Sequence, residues 1–461
     1  MLKRIMTFLL LSLSAYAFAA GPVVTNYIGT GSNPRLYLTL SDNQPNWASF
    51  TVDYQQSGNI PYDTKNPSKE QWSTWNVHDQ AGQKGHYYGT ITLKATSTKA
   101  TWGSYIGGEG YYLDGVHFNF KNNSYQLTVD KIVAPDSGSS PFPNAPIATP
   151  AVYPGTDTPV ILSVDGNQIV NNQGKTIILK GMVRPSLEWN PSGQYLSEQD
   201  ILNMLKWGIN TIRIDMNQNF WFQSGPVDEI GSYKQIINAI VYYAVEHDMA
   251  VILDLHWTEN GHQSNMANKA SIQFWKEVAA DYKDFGTVIF ELFNEPVNID
   301  KNVWLNGDAT YAGYQDLYNA VRSAGANNIV LVNGIEWGYD LSFVNDSFKV
   351  EGDNITYGSH PYNKTSFGNN FDGVLGKFPL IFTEFGTNQM SNFPSGYEPI
   401  YQAVLDFIQA NDVSYTGFAW WVESGNPAFP ALIKDWDGTP QYGGQMIYDD
   451  MKAYPPTGIS R

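Results

Sequence analysis

The sequence predicts an α/β fold: a (β/α)8 TIM barrel preceded by an all-β, sandwich-like domain. Three observations predict it. Eight short, mostly continuous apolar runs follow one another after residue 160, as expected of parallel strands covered on both faces. Segments with helical spacing separate most of them, and a barrel of eight such units fits the length of this part of the chain. Before residue 134 the pattern is different, with short alternating runs bounded by clusters of Gly, Asn, Ser and Pro and no sustained helical period. A doubly wound open sheet is the competing arrangement for the second part.

Met1–Ala19 reads as a signal peptide: Lys3 and Arg4, an apolar run from Met6 to Leu13, then Ala17-Phe18-Ala19 as a cleavage signal. The protein is therefore expected to be secreted, with periplasmic retention left open. Residues 20–133 follow as the β-sandwich, with alternating runs such as Ser49–Tyr54 and Tyr125–Asp130. Residues 134–159 are expected to be a linker. Seven of the 25 prolines fall between Pro135 and Pro159, a composition that builds no core and favours extended backbone.

Residues 160–461 are the expected barrel. A leading β-hairpin turns at Val164-Asp-Gly-Asn and Asn172-Gln-Gly174. Strands are expected over 176–182, 210–215, 249–256, 287–293, 328–334, 355–361, 379–386 and 415–421. Ser197-Glu-Gln-Asp200 has the spacing of a capping box that opens the first helix. Further helices are expected near 232–247, 269–284, 310–324 and 396–410, whereas 335–354 shows little helical pattern.

Composition bounds the function. The 461 residues carry 44 acidic and 27 basic side chains, seven His and no Cys. With 42% hydrophobic and 15% charged residues the chain is not a disordered polyelectrolyte. A formal charge of −17 argues against a nucleic-acid partner, which needs a dense cationic footprint. The lack of Cys removes disulfides, thiolate nucleophiles and thiolate metal sites. Scattered His residues without a His-x-His pair give no metal site, and no cofactor motif is found. No stretch approaches the length of a membrane span, so no membrane partner is expected. The 14 Trp, 29 Tyr and 23 Phe in a low-charge chain suit stacking on something neutral and polar, with sugars the leading candidate.

In a (β/α)8 barrel the reactive side chains gather at the C-terminal strand ends. Those ends carry Arg213 and Asp215, Asp254, His256 and Trp257, Asn294 and Glu295, Glu336 and Trp337, His360 and Tyr362, Glu384, and Trp420 and Trp421. Two glutamates, Glu295 and Glu384, close otherwise apolar strands. Paired carboxyls suit glycoside hydrolysis, since breaking an acetal needs a proton on the leaving oxygen and an anion facing the oxocarbenium-like centre. The two must differ in proton affinity, and Arg213 and Tyr362 are the right types to hold Glu384 ionised. Asn294 can hydrogen-bond a sugar hydroxyl beside the reacting carbon. Trp189, Trp257, Trp304 and Trp337 are candidates for lining sugar subsites, against plain packing under long loops.

Thr211-Ile-Arg213, Asp254-Leu-His256, Phe293-Asn-Glu-Pro296, His360-Pro-Tyr362 and Thr383-Glu-Phe-Gly386, in this order, resemble glycoside hydrolase family 5, the cellulase-type enzymes of the Glu/Glu retaining barrel clan, over about residues 160–455. The resemblance implies Glu295 as general acid/base and Glu384 as nucleophile. It implies Arg213, His256, Asn294, His360 and Tyr362 as the supporting shell. It also implies a tryptophan floor at the end of strand eight, either Trp420 or Trp421, with Trp421 favoured by the run Trp421-Val-Glu-Ser-Gly-Asn-Pro. Val422 and Glu423 depart there from many relatives.

The expected activity is that of a secreted, retaining endo-β-1,4-glucanase, a monomer acting on cellulose or a related β-glucan without cofactor. Mannan, xyloglucan and mixed-linkage glucan remain open as substrates, because loops set the choice. A non-catalytic polysaccharide-binding protein is the reading from a different class. The rings of residues 20–133, among them Trp47, Trp72, Trp75 and Trp102, fit either a carbohydrate-binding face or a domain that braces the barrel.

Overall fold

The computed structural model has two compact units, Met1–Ser137 and Gly138–Arg461. It describes the backbone of nine strands between Val23 and Val133. It then describes Phe142 to Ile459 apart from 143, 147, 155–158, 224–226, 228–230, 260–263, 388–395 and 423–429. The expected signal peptide and the rings of the first unit lie outside the described residues.

The first unit is all-β. Its strands, from Val23–Ile28 to Ser124–Val133, hydrogen-bond into a nine-stranded sheet among the described residues. Tyr112–Lys121 and Ser124–Val133 form its longest antiparallel pair, with Phe50–Gln55 on the other side of the latter.

The second unit is a closed barrel of eight parallel strands. They are β1 (Lys180–Arg184), β2 (Thr211–Asn217), β3 (Ala250–Trp257), β4 (Val288–Glu291), β5 (Val330–Asn333), β6 (Ile355–Ser359), β7 (Leu380–Phe382) and β8 (Ser414–Gly417), and β8 pairs with β1. Helices α1 (Glu198–Leu205), α2 (Gln218–Phe222), α3 (Tyr233–Glu246), α4 (Ser271–Tyr282), α5 (Lys301–Asn306), α6 (Tyr314–Ser323), α7 (Glu398–Asn411) and α8 (Gly443–Ala453) surround it. The barrel floor is apolar: Ile252, Ile289, Leu331 and Ile381 meet Leu162 and Ile169 of the leading hairpin, which plugs this end. With the floor sealed by side chains, polar residues collect at the opposite rim.

Several expectations shift. The first strand begins at Lys180, because Thr176 instead extends the hairpin by a bridge to Val170. Ser197 caps α1 by accepting from the Asp200 N–H, but the box stays open. The Asp200 carboxylate is taken by Arg184 Nε at 2.5 Å and Trp420 Nε1 at 2.8 Å. A complete capping box forms at α3, between Ser232 and Gln235.

Among the described residues no helix follows β5 or β6. Aromatic packing covers those strands instead. Trp304 meets Phe343 with ring centroids 5.0 Å apart. Phe371 meets Phe382 at 5.3 Å and Phe407 at 5.4 Å. The Pro-rich stretch expected to be a linker is divided. The unit boundary lies inside it, and described residues between Phe142 and Ala148 pack on the barrel. Phe142 is buried in the main core, Asn144 donates twice to Glu198, and the Ala148 carbonyl accepts from Asn238. Proline composition predicted extended backbone here, and extended backbone can still bury the apolar side chains between prolines.

Candidate active site

Arg213 on β2 is the electrostatic centre of the rim. It is fully buried, where an unpaired charge is untenable, and every guanidinium nitrogen has a partner. Nε and Nη2 grip Glu291 at 2.6 and 2.9 Å. Nη1 donates to Asp215 and Glu384, both at 2.9 Å, and Nη2 also donates to Asn294 Oδ1 at 2.8 Å. The Asp254 carboxylate lies 3.0 Å from Nη2.

One cation facing four carboxylates cannot keep all of them ionised, so the rim sorts them. Burial alone raises the proton affinity of each. At Glu291 the Arg213 and His360 charges outweigh burial and bring the pKa down to about 2. Glu384 is also lowered, since His360, Arg213, His256 and the Tyr362 hydroxyl overcome its burial. At Asp215 burial wins over His256 and Arg213, and the pKa rises to about 7. Asp254 and the neighbouring Glu188 are raised too, chiefly by burial. The proton-poor carboxylates are thus Glu291 and Glu384, and the proton-rich ones lie behind them.

Glu384 follows β7 and is nearly buried. Its Oε1 accepts from Arg213, and its Oε2 accepts from Tyr362 at 2.8 Å. Glu295 follows β4 and is more accessible, with 18% of its side chain exposed against 5% for Glu384. His360, at the end of β6, stands between them. It bridges Glu295 Oε1 through Nδ1 at 2.9 Å and Thr383 Oγ1 through Nε2 at 2.9 Å. Burial opposes a charge on this ring, but Glu384, Glu291 and Glu295 overcome it and raise its pKa to about 10. An oxygen of Glu295 and one of Glu384 lie within 4.8 Å of each other.

Asn294 is buried and held by Arg213 on one side, with its Nδ2 3.5 Å from His256 Nε2. His256 Nδ1 meets Asp254 at 2.7 Å, which fixes the ring's orientation. Asn333 on β5 donates to Glu291 at 2.6 Å and to the Asn294 carbonyl at 2.7 Å. It ties the strand that carries the acid/base candidate to its neighbour.

The two glutamates open into a cavity of about 560 Å³, whose lining includes Trp337, Tyr339, Tyr362, Lys364, Phe418 and Pro430. Trp337 is 56% exposed and lies between Glu336 and Gly338, all three with positive φ. Gly338 is required there, because a Cβ would stand 3.0 Å from the His360 ring. Such strained backbone at a cleft is a common mark of a binding site.

The structure brings together Arg213, His256, Asn294, Glu295, His360, Tyr362 and Glu384, and it seats Trp337 in the cavity. Other ring expectations are corrected. Trp420 is fully buried, bonded to Asp200 and packed at 5.0 Å on Trp207, so it touches no substrate. Trp421 is only 7% exposed and enclosed by Trp189, Trp436 and Arg184, and the strand-eight ring lining the cavity is Phe418. Trp304 is a core residue whose Nε1 donates to the Asn333 carbonyl. Trp257 is half-buried beside His256 and is not among the described residues lining the cavity.

Glu291, Asn333, Lys364 and Phe418 were missed by the sequence reading. Glu291 alone left a signal, a charged residue inside an apolar strand, which demands a buried partner. Among the described residues, two groups of donors lie close enough to meet one ion, Glu188–Asp215–His256 and Glu295–His360–Glu384. The second is the carboxyl pair itself, with both His360 nitrogens already engaged.

Two carboxyls, Glu295 and Glu384, thus face one cavity at the head of a closed barrel. Residues 170–424 match the family described as cellulase (glycosyl hydrolase family 5). The chain belongs to glycosyl hydrolase family 5. It is 32% identical over 262 residues to an endoglucanase of Clostridium saccharobutylicum, covering 56% of each chain. It is 32% identical over 235 residues to endoglucanase A of Butyrivibrio fibrisolvens, covering 49% of this chain and 52% of that one. The chain thus spans little more than half the length of these relatives. Among solved structures, the β-glucanase SdGluc5_26A of Saccharophagus degradans superposes with a TM-score of 0.51 at 23% identity, covering 66% of this chain and 98% of its own. The catalytic domain of the major endoglucanase of Xanthomonas campestris pv. campestris gives 0.53 at 16% identity, covering 63% and 99%. These likenesses show that the barrel fold is shared.

Proposed function

We propose that this family 5 protein is an endo-β-1,4-glucanase that hydrolyses cellulose-type β-glucan with retention of configuration. The observation that carries the reading is the separation of Glu295 and Glu384, with oxygens within 4.8 Å of each other. Retaining enzymes hold their carboxyls about 5–5.5 Å apart, whereas inverting enzymes need roughly 6.5–9.5 Å to fit a water. The endoglucanase names of the relatives support the choice of substrate.

In the first step Glu384 attacks the anomeric carbon while Glu295 delivers a proton to the glycosidic oxygen, so the C–O bond breaks and the aglycone leaves as an alcohol. In the second, Glu295 takes a proton from water. The resulting hydroxyl attacks the same carbon, and the glycosyl ester to Glu384 is cleaved. Arg213 and Tyr362 each occupy one oxygen of Glu384 and stabilise the carboxylate at rest and on release. His360 meets Glu295 Oε1 at 2.9 Å and holds the carboxyl in place for proton transfer.

Glu384→Gln and Glu295→Gln are each expected to lower kcat on carboxymethylcellulose by roughly 10²- to 10⁴-fold or more, with circular dichroism unchanged. Turnover close to wild type in either variant defeats the assignment. Barley glucan and mannan assayed alongside test the substrate, and faster hydrolysis of mannan contradicts a glucanase. The reading includes secretion by cleavage after Ala19, supported by the Lys3-Arg4, apolar and Ala-x-Ala succession. N-terminal sequencing of the protein recovered outside the producing cells tests it, and an intact Met1 contradicts it.

A further inference from the structure

The loop after β1 presents a tyrosine that nothing in the catalytic scheme uses. Tyr195 is 63% exposed. That is an unusual position for so large a ring. One face stacks on Trp436 at 4.8 Å with planes 25° apart, so the exposed face points outward. The backbone that holds it has φ 58 at a non-glycine residue. Such a left-handed conformation is strained for a bulky side chain.

Both rings are rigidly mounted. Before Tyr195, Arg184 Nη2 donates to the Gln194 carbonyl, Trp189 Nε1 donates to the Gln194 side chain, and the Gln194 N–H donates to Ser186. Trp436 sits on a tight turn whose Asp435 caps Thr439. Asn203 donates to the Trp436 carbonyl, and Trp207 to the Gly438 carbonyl. The Arg184 guanidinium lies 5.0 Å from the Trp436 ring, within cation–π range.

Ring contacts link the platform to the wall of the cleft. Tyr362, which bonds Glu384, meets Phe418 edge-on at 6.4 Å. Phe418 and Trp421 share one buried cluster, and Trp421 stands 6.3 Å from Tyr195 and 5.2 Å from Trp436. Packed rings, buried at Trp421, therefore connect Tyr362 beside Glu384 to an exposed, immobilised aromatic face. The all-equatorial pyranose of a β-glucan has an apolar C–H face that suits such a ring, and a platform fixed in advance costs little ordering on binding.

We propose that Tyr195, backed by Trp436, is a sugar-stacking platform that binds a pyranose unit several residues along the chain from the bond being cut. The proposal rests on the glucanase reading and adds a dependence on substrate length. In the full protein, Tyr195→Ala is expected to lower kcat/KM for cellohexaose by roughly three- to tenfold. An aryl cellobioside, too short to reach the platform, should be hydrolysed as by wild type, and Tyr195→Phe should restore the long substrate. Unchanged cellohexaose hydrolysis, or an equal loss on both substrates, overturns the proposal. If the parent protein hydrolyses neither substrate, the glucanase reading fails by itself. The platform is then decided by fluorescence titration of Glu295→Gln with cellohexaose, with and without Tyr195→Ala. A severalfold weaker Kd in the double variant upholds it, and an unchanged Kd overturns it.

Discussion

Arg213 divides one positive charge among four carboxylates, and the division sets the pH behaviour of the site. In the proposed mechanism Glu384 attacks as a carboxylate, so activity is expected to fall as pH drops through its pKa. Tyr362→Phe removes a hydrogen bond to that carboxylate and is expected to move the acidic limb of kcat/KM to higher pH, checked by a pH–rate profile. An unmoved acidic limb shows that Tyr362 does not tune Glu384. Glu291 has its folded pKa depressed to about 2, below its ordinary 4.5. Its contribution to stability is thus fully present above pH 4.5 and is lost as pH falls towards 2. The Tm advantage of wild type over Glu291→Gln should shrink over that window, and an advantage constant from about pH 5 to about pH 2.5 contradicts the ion pair. The gathering of Glu295, Glu384 and the side chains around them at one rim was legible because each stands at a strand end in a short motif. Asn333 was not, since an asparagine in an apolar strand looks the same whether it serves the site or the fold.

At the level of elements, the strands were legible from their apolar runs and the outer layer only in part. The space beside β5 to β7 is filled by Trp304, Phe343, Phe371, Phe382 and Phe407, and packed rings leave no periodic trace in sequence. Those five rings belong to packing, whereas composition assigned the aromatic load to sugar. The segment from Phe142 to Tyr153 behaves as a strap on the barrel, anchored by Phe142 and by the Asn144–Glu198 bonds. Phe142→Ala is expected to cost the barrel about 3 kcal/mol or more, measured by chemical denaturation. A loss below about 0.5 kcal/mol contradicts a buried anchor.

For the molecule as a whole, the second unit contains its own core, its floor plug and every residue placed in the catalytic scheme. A chain beginning at Gly138 is therefore expected to keep the kcat/KM of the full protein on soluble glucan within about twofold, with melting of the barrel unchanged. A loss of roughly tenfold contradicts a self-sufficient catalytic unit. The central claim is retention by the Glu295–Glu384 pair. Proton NMR of cello-oligosaccharide hydrolysis, recorded in the first minutes before mutarotation, tests it most directly. Newly formed reducing ends should appear first as the β-anomer, and initial appearance of the α-anomer contradicts the account.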